Sequence, residues 1–334
     1  MCTAICDNTN GFLFGRTLDL ERSYDERVIL TPRRKALDFL HMPPTSEHLA
    51  MLGIGIVFGD KPLYFDAVNE AGLAVAALNF PRSAVYKDIL PNAHNLASFE
   101  VIPYLLAHCN SIESAKDILR DLNITNDSVS ATLPTSPLHW IISDKKSALA
   151  LESTVDGVRI YDNPFGVLTN EPPFPFHLSN TASFAPLSSH PQKNHIAPSV
   201  EILPHSRGSG AFGLPGDLSS PSRFVRAVFM KNHTDVSENA SVSRFFHIME
   251  NISVPRGSIK TDTGASVYTV YTSCGDPRSM TYYFTTYSSR TIRCITPHND
   301  EISGDRILSL PIFEEEQICA VCFSNQNENR GQLK

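Results

Sequence analysis

The amino-acid sequence predicts an α+β layered fold and argues against a doubly wound βαβ sheet. Three observations carry this: short β-rich runs stand at both ends of the chain, most are spaced as antiparallel hairpins, and amphipathic helical stretches lie between them.

In order, residues 2–6 and 12–18 read as an opening hairpin, because Asp7, Asn8, Thr9, Asn10 and Gly11 are turn formers whose Asn-Gly pair accepts positive φ. Pairing symmetric about Thr9 sets Cys2 opposite Arg16 and brings the strand end with Asp19 beside the chain terminus. Strands are expected over 51–58, 63–68, 72–80, 138–143, 147–153 and 157–161. Helices are expected over 98–109 and 111–122, the second opened by Asn110 with Glu113 as a capping box. Residues 171–221 are rich in Pro, Ser and His and read as a long loop or a linker. Ser219 and Ser220 ahead of Pro221 start a helix with Phe224, Val225, Val228 and Phe229 on one face, and another amphipathic helix fits 241–252. Runs at 266–273, 280–286 and 291–296 return to strand.

Composition narrows the function classes. With 334 residues, 42% of them hydrophobic and 19% charged, the chain is that of a folded protein with a sizeable core. Its formal net charge is −7 and its basic residues are scattered, which excludes nucleic acid as the main partner. No apolar run approaches the roughly 18 residues a membrane span needs. The N-terminus shows neither a basic region nor an apolar one of the secretory type, so a cytoplasmic protein is expected, with the sequons at Asn123, Asn126, Asn232, Asn239 and Asn251 unused. Seven cysteines, an odd number in a long chain, are expected as free thiols: Cys2, Cys6, Cys109, Cys274, Cys294, Cys319 and Cys322.

Phosphate-binding loops, His-Glu-x-x-His, the Gly-x-Ser-x-Gly elbow and a strand-led dinucleotide fingerprint are missing from the sequence. Cys319 and Cys322 form a lone Cys-x-x-Cys in an apolar run and read as two buried strand thiols, with a redox role as a remote alternative. The unusual residue is Cys2, directly behind the initiator methionine. Methionine removal is favoured ahead of a small residue, and it leaves a cysteine with both a thiol and a free α-amine. An α-amine has a reference pKa of about 7.7–8.0, so it can take the thiol proton and return it to a leaving amine. Across the hairpin Arg16 favours thiolate over thiol, and Asp19 is placed to hold the amine.

Several segments together carry a resemblance. Met1-Cys2-Thr3, Phe14-Gly15-Arg16-Thr17-Leu18-Asp19, Asn69-Glu70-Ala71-Gly72-Leu73 with Leu78-Asn79-Phe80-Pro81, Leu168-Thr169-Asn170-Glu171-Pro172, and Gly213-Leu214-Pro215-Gly216-Asp217 with Ser222-Arg223-Phe224 run in order along nearly the whole chain. They are followed by Tyr271-Thr272-Ser273-Cys274 and the Tyr282-Tyr283 strand. The set resembles the choloylglycine hydrolase family of bile salt hydrolases and penicillin V acylases, within the N-terminal-nucleophile hydrolases.

The resemblance implies one domain over residues 1–334, mature from Cys2, folded as a four-layer αββα sandwich of two antiparallel sheets. It implies Cys2 as nucleophile, Arg16 and Asp19 beside it, Asn79 and Asn170 as oxyanion-stabilising groups, and Arg223 as a further active-site residue. The segments with Leu18, Phe58 and Phe65 line the steroid pocket in relatives, while core packing is an equally good reading of those side chains. Asn79, where penicillin V acylases tend to carry tyrosine, favours a small-molecule substrate of the conjugated bile salt class, cleaved without metal or organic cofactor. Relatives often assemble as homotetramers. The alternatives are a penicillin V or other N-acyl amide hydrolase and a catalytically silent acyl-amide binder. Three departures bear on substrate preference: Glu171 where a neutral residue is usual, Arg207-Gly208-Ser209-Gly210 in place of a Gly-Gln-Gly-like turn, and Gly275 where a larger residue is common. A carboxylate at Glu171 is expected to disfavour an anionic glycine or taurine end.

Overall fold

The computed structural model describes residues 1–203, 206–235, 241–313, 315, 316 and 318. The Cys319/Cys322 pair and the sequon at Asn239 lie outside the described residues. Along the chain the strands are β1 (Cys2–Asp7), β2 (Leu13–Leu20), β3 (Arg27–Thr31), β4 (Met51–Phe58), β5 (Lys61–Asn69), β6 (Ala74–Asn79) and β7 (His94–Ala97). After α1 (Val101–His108) and α2 (Ile112–Arg120) come β8 (Leu122–Thr125), β9 (Leu138–Ser143), β10 (Ala148–Thr154), β11 (Gly157–Asp162), β12 (Val167–Leu168) and α3 (Phe174–Thr181). The remainder comprises α4 (Ser220–His233), α5 (Ser241–Glu250), β13 (Ile259–Lys260), β14 (Ser266–Asp276), β15 (Thr281–Thr286), β16 (Arg293–Ile295), α6 (Asn299–Ile302) and β17 (Leu308–Pro311).

Two large antiparallel sheets result. The first runs β12-β1-β2-β14-β15-β16 with β13 added to β14, and the second runs β11-β10-β9-β6-β5-β4-β3-β17. They face each other through β1, β2, β14 and β15 on one side and β4, β5 and β6 on the other; α4 and α5 cover the outside of the first sheet and α1 the outside of the second. The layer order is α, β, β, α, as the resemblance implied. Period-2 alternation shows how the second sheet serves two cores. On β6, Ala74, Ala76 and Leu78 face the inter-sheet core, whereas Val75 and Ala77 pack with Trp140, Leu105 and Leu106 under the helices. A strand covered on both faces therefore reads as one apolar run.

The opening hairpin pairs two residues away from the expected register, with Cys2 opposite Leu18 and Ala4 opposite Arg16. The pivot is Asn10 because Asp7 Oδ1 accepts the Thr9 N–H at 3.1 Å, which makes Thr9 part of the entry into the turn, and Gly11 closes it at φ 92°. A shift of two preserves the face, so Cys2, Arg16 and Leu18 still project from the same side.

Other expectations shift more. The second helix starts at Ile112 and is capped by Ser111, whose Oγ accepts Ser114 N–H, while the Ser114 hydroxyl takes the Asn110 and Ser111 N–H groups. Glu113 instead pairs on the surface with Lys116. That helix stops at Arg120, and Leu122 already belongs to the parallel β7–β8 pair. Residues 171–221 are not featureless, since α3 forms within them and anchors the segment that follows Asn170. Of the expected α4 face, Phe224 and Val225 are buried, but Phe229 stacks on His233 instead of joining the core. The Arg207–Gly210 turn enters a short 3-10 turn over Ser209–Ala211. None of the helices among the described residues is long and apolar enough to cross a membrane. Cys2, Cys6, Cys109 and Cys274 are buried free thiols and Cys294 an exposed one.

Candidate active site

The chain start lies at the meeting of three elements. Cys2 opens β1 and is 2% exposed, β2 runs alongside it, and the N-terminal end of α4 reaches both through Arg223. Met1 continues the ladder: its amine donates to the Asp19 carbonyl and its carbonyl accepts Asp19 N–H at 2.9 Å.

Asn170 is the hub. Its Oδ1 accepts the Cys2 N–H at 2.7 Å and Arg223 Nη2 at 2.7 Å, while its Nδ2 donates to the Asn79 carbonyl at 2.8 Å. Main-chain bonds hold the residue itself, with its N–H on Ser220 Oγ at 2.8 Å and its carbonyl accepting His177 Nε2 at 3.0 Å. Arg223 is fully buried and also donates to the Cys2 carbonyl, the Thr3 hydroxyl and the Leu218 carbonyl. Burial pulls its guanidinium below the usual range, opposed by the charges of Asp19 and Cys2.

Arg16 approaches from β2. It spans the sheets, donating Nη1 to the Phe65 and Ala77 carbonyls of the second sheet and Nε to the Thr17 carbonyl. Burial is the largest single influence on it and acts downward, yet its affinity for the proton ends above the ordinary value because Cys2, Tyr271, Asp66 and Asp19 act together against burial. Asp19 lies beside the chain start, its backbone paired with Met1. Its carboxylate accepts the Thr269 hydroxyl at 2.7 Å and the Thr17 hydroxyl at 3.2 Å, and it is Asn170 that holds the Cys2 nitrogen. Asn79 ends β6 half-buried and meets Asn170 through its backbone carbonyl.

The three pocket residues separate. Leu18 is buried directly opposite Cys2, and Phe65 packs half-buried against the inter-sheet core. Phe58 lies at the β4–β5 hairpin tip, 39% exposed.

Glu171 is more engaged than its sequence position suggested. Its carboxylate accepts Arg82 N–H at 2.8 Å, Ser83 N–H at 2.9 Å and the Ser83 hydroxyl at 2.7 Å. The carboxylate thus clips the turn after Asn79 to the turn after Asn170, and three donors offset its charge.

Sequence reasoning missed several supports: Ser220, Thr269, His177 and Asp66. Only Asp66 left a signal, a carboxylate in the apolar run Leu63–Val68. Behind Asn170, buried His177 has its proton affinity lowered to about 4, chiefly by desolvation. Because the folded value lies below the reference of about 6.5, stability from His177 is complete above that pH and is lost as pH falls towards 4. The difference amounts to about 3 kcal/mol. Urea unfolding between pH 7.5 and 4 is expected to show a shallower acid decline for His177→Gln than for the wild type; parallel declines would contradict this.

The sequence pattern of the choloylglycine hydrolase family, linear amide C–N hydrolases, matches residues 2–307. The bile salt hydrolase/transferase of Lactiplantibacillus plantarum is 40% identical over 323 residues, 96% of this chain and 100% of that protein. The conjugated bile acid hydrolase of Lactobacillus gasseri is 34% identical, covering 92% and 100%. A variant of the conjugated bile acid hydrolase from Clostridium perfringens has a similar structure, with a TM-score of 0.87 at 30% identity over 96% of this chain and 100% of that one. Penicillin V acylase from Agrobacterium tumefaciens shares the fold, with a TM-score of 0.73 at 20% identity over 94% and 93%. The chain belongs to the choloylglycine hydrolase family and is a linear amide C–N hydrolase.

Proposed function

We propose that the protein hydrolyses the amide bond of glycine- and taurine-conjugated bile salts, with Cys2 as N-terminal nucleophile after loss of Met1. The observation that carries the reading is the Cys2 nitrogen held on Asn170 Oδ1, with the same residue tied to Arg223 and Asn79. Its likeness to proteins named as bile salt and conjugated bile acid hydrolases supplies the substrate class.

The freed α-amine takes the thiol proton, and the thiolate attacks the substrate carbonyl. The Asn170 amide group has a second hydrogen beyond the one given to Asn79, and the Asn79 side-chain amide makes no hydrogen bond among the described residues, so both are free to meet the developing oxyanion. Collapse breaks the C–N bond, the ammonium proton passes to the leaving amine, and the acyl group remains as a thioester on Cys2. Water then attacks the thioester, delivering its proton to the α-amine; collapse breaks the C–S bond, the Cys2 thiolate takes that proton back, and bile acid is released. Arg16 and Arg223 hold positive charge at the nucleophile, and Asp19 fixes the strand end through Thr269. Leu18, Phe65 and Phe58 offer apolar surface to the steroid.

The reading takes residues 1–334 as one domain, because the strands and helices before and after residues 171–221 share the inter-sheet core. It places the enzyme in the cytoplasm, which the free thiols support, as a homotetramer by likeness to the family.

The test is amine release from glycocholate and taurocholate beside penicillin V, under reducing conditions, with protein whose mass confirms Met1 removal. Faster turnover of the bile salts is expected. Preference for penicillin V transfers the mechanism to another acyl amide, and silence on all three leaves a binder.

A further inference from the structure

Asp66 lies outside the set of residues the family resemblance assigns. It sits on β5, fully buried, between the two sheets. Its Oδ1 accepts the Tyr271 hydroxyl at 2.5 Å, and its Oδ2 accepts the Ser273 hydroxyl at 2.6 Å and the Tyr282 hydroxyl. All three donors come from β14 and β15 of the opposite sheet. Ser273 Oγ in turn accepts the Arg16 main-chain N–H at 3.1 Å, so the cluster reaches the backbone of β2 as well as the Arg16 charge.

Gly275 belongs to this arrangement. A Cβ there would stand 2.9 Å from Tyr282 Cε2 and 2.9 Å from Val68 Cγ1. The missing side chain makes room for the Tyr282 ring whose hydroxyl reaches Asp66, which gives the departure at this position a physical reason.

Arg16 has two separable supports. The Phe65 and Ala77 carbonyls fix where its guanidinium lies, and they carry no net charge. Asp66 follows Phe65, whose carbonyl holds Arg16 Nη1, and its carboxylate acts on the guanidinium by charge, without an ion pair to it among the described residues; the remaining Arg16 Nη2 is buried without a partner among the described residues.

We propose that Asp66 is a positioning residue that sets how much of the Arg16 charge is felt by the Cys2 thiol, with Tyr271, Ser273 and Tyr282 holding its carboxylate in place. The proposal rests on the reading of Cys2 as nucleophile. The charged and titratable groups around the pair are Arg16 and Asp19 from β2, Arg223 from α4, Tyr271 and Cys274 from β14, and Tyr282 from β15. Burial pushes the Asp66 carboxyl upward, and Arg16 with the three hydroxyls opposes that.

Removing the carboxylate leaves Arg16 in place with less opposing charge, which favours thiolate. In Asp66→Asn, the pH at which half of Cys2 is alkylated by iodoacetamide, read from the mass of the N-terminal peptide, is expected to move acidward by about one unit. The acid limb of kcat/KM is expected to move the same way. Tyr282→Phe keeps the ring and the carboxylate and loses one donor; a smaller acidward shift is expected. If Asp66→Asn does not fold, Tyr282→Phe decides alone. A folded variant with an unmoved or alkaline midpoint overturns the proposal. Cys2→Ala separates the two ideas: retained amide hydrolysis in it would remove Cys2 as nucleophile, while the alkylation midpoints of the proteins that keep Cys2 still report on Asp66.

Discussion

A chain that keeps Met1 is expected to lose amide hydrolysis by about 10²–10⁴-fold while Cys2 remains a free thiol. In this state the Cys2 nitrogen is a peptide N–H whose hydrogen goes to Asn170 Oδ1, so it has no lone pair to offer the thiol proton. Met1 also occupies the strand position beside Asp19, bonded to both its N–H and its carbonyl, and so covers the edge of the site. One bulky residue inserted ahead of Cys2 blocks methionine excision without changing any other side chain. The measurement is turnover of glycocholate by the extended and mature proteins, with thiol titration showing equal free cysteine. Equal turnover from a protein of confirmed extended mass would remove the α-amine from the mechanism. A drop that alkylation of mature Cys2 reproduces would support it.

Asn170→Ala is expected to cost about 10²–10³ in kcat, the usual effect of losing one oxyanion donor. Its side chain has other duties, because Oδ1 receives both the Cys2 nitrogen and Arg223 and Nδ2 binds the Asn79 carbonyl. Truncation therefore leaves buried Arg223 short of an acceptor and loosens the turn that carries Asn79. Asn170→Asp separates the roles, since it keeps an acceptor for Cys2 and Arg223 but loses the donor. Both variants are expected to fall at least 10²-fold in kcat with a smaller change in KM. Full activity in Asn170→Asp would show that the donor is not used.

How much of this was legible depends on how local the determinant is. Alternation along β1 and β2 fixed the face shared by Cys2, Arg16 and Leu18, and a two-residue error in register did not disturb it. The register itself depended on the side-chain bond from Asp7 to Thr9, which composition does not reveal. Pro221 marked the start of α4 and so placed Arg223 near a helix N-terminus. Its four acceptors come from Cys2, Thr3, Asn170 and Leu218, segments no periodicity connects. Glu171 shows the limit most plainly. As a sequence letter it was an unbalanced charge beside a reactive asparagine, and in the fold it caps two N–H groups and a hydroxyl about 88 positions away along the chain.

The sequence by itself determined the layered class, the strands that alternate, and a cysteine placed to become an N-terminus, because each follows from neighbours within a few residues. Only the tertiary structure decided that Asn170 holds the Cys2 peptide nitrogen, and that Asp66 takes the Tyr271, Ser273 and Tyr282 hydroxyls across the two sheets. Those pairings are made between segments 168 to 216 residues apart. A buried charge or amide takes whichever partner the packed layers bring within about 3 Å, and that choice is a property of the closed sandwich, with no counterpart in local propensity.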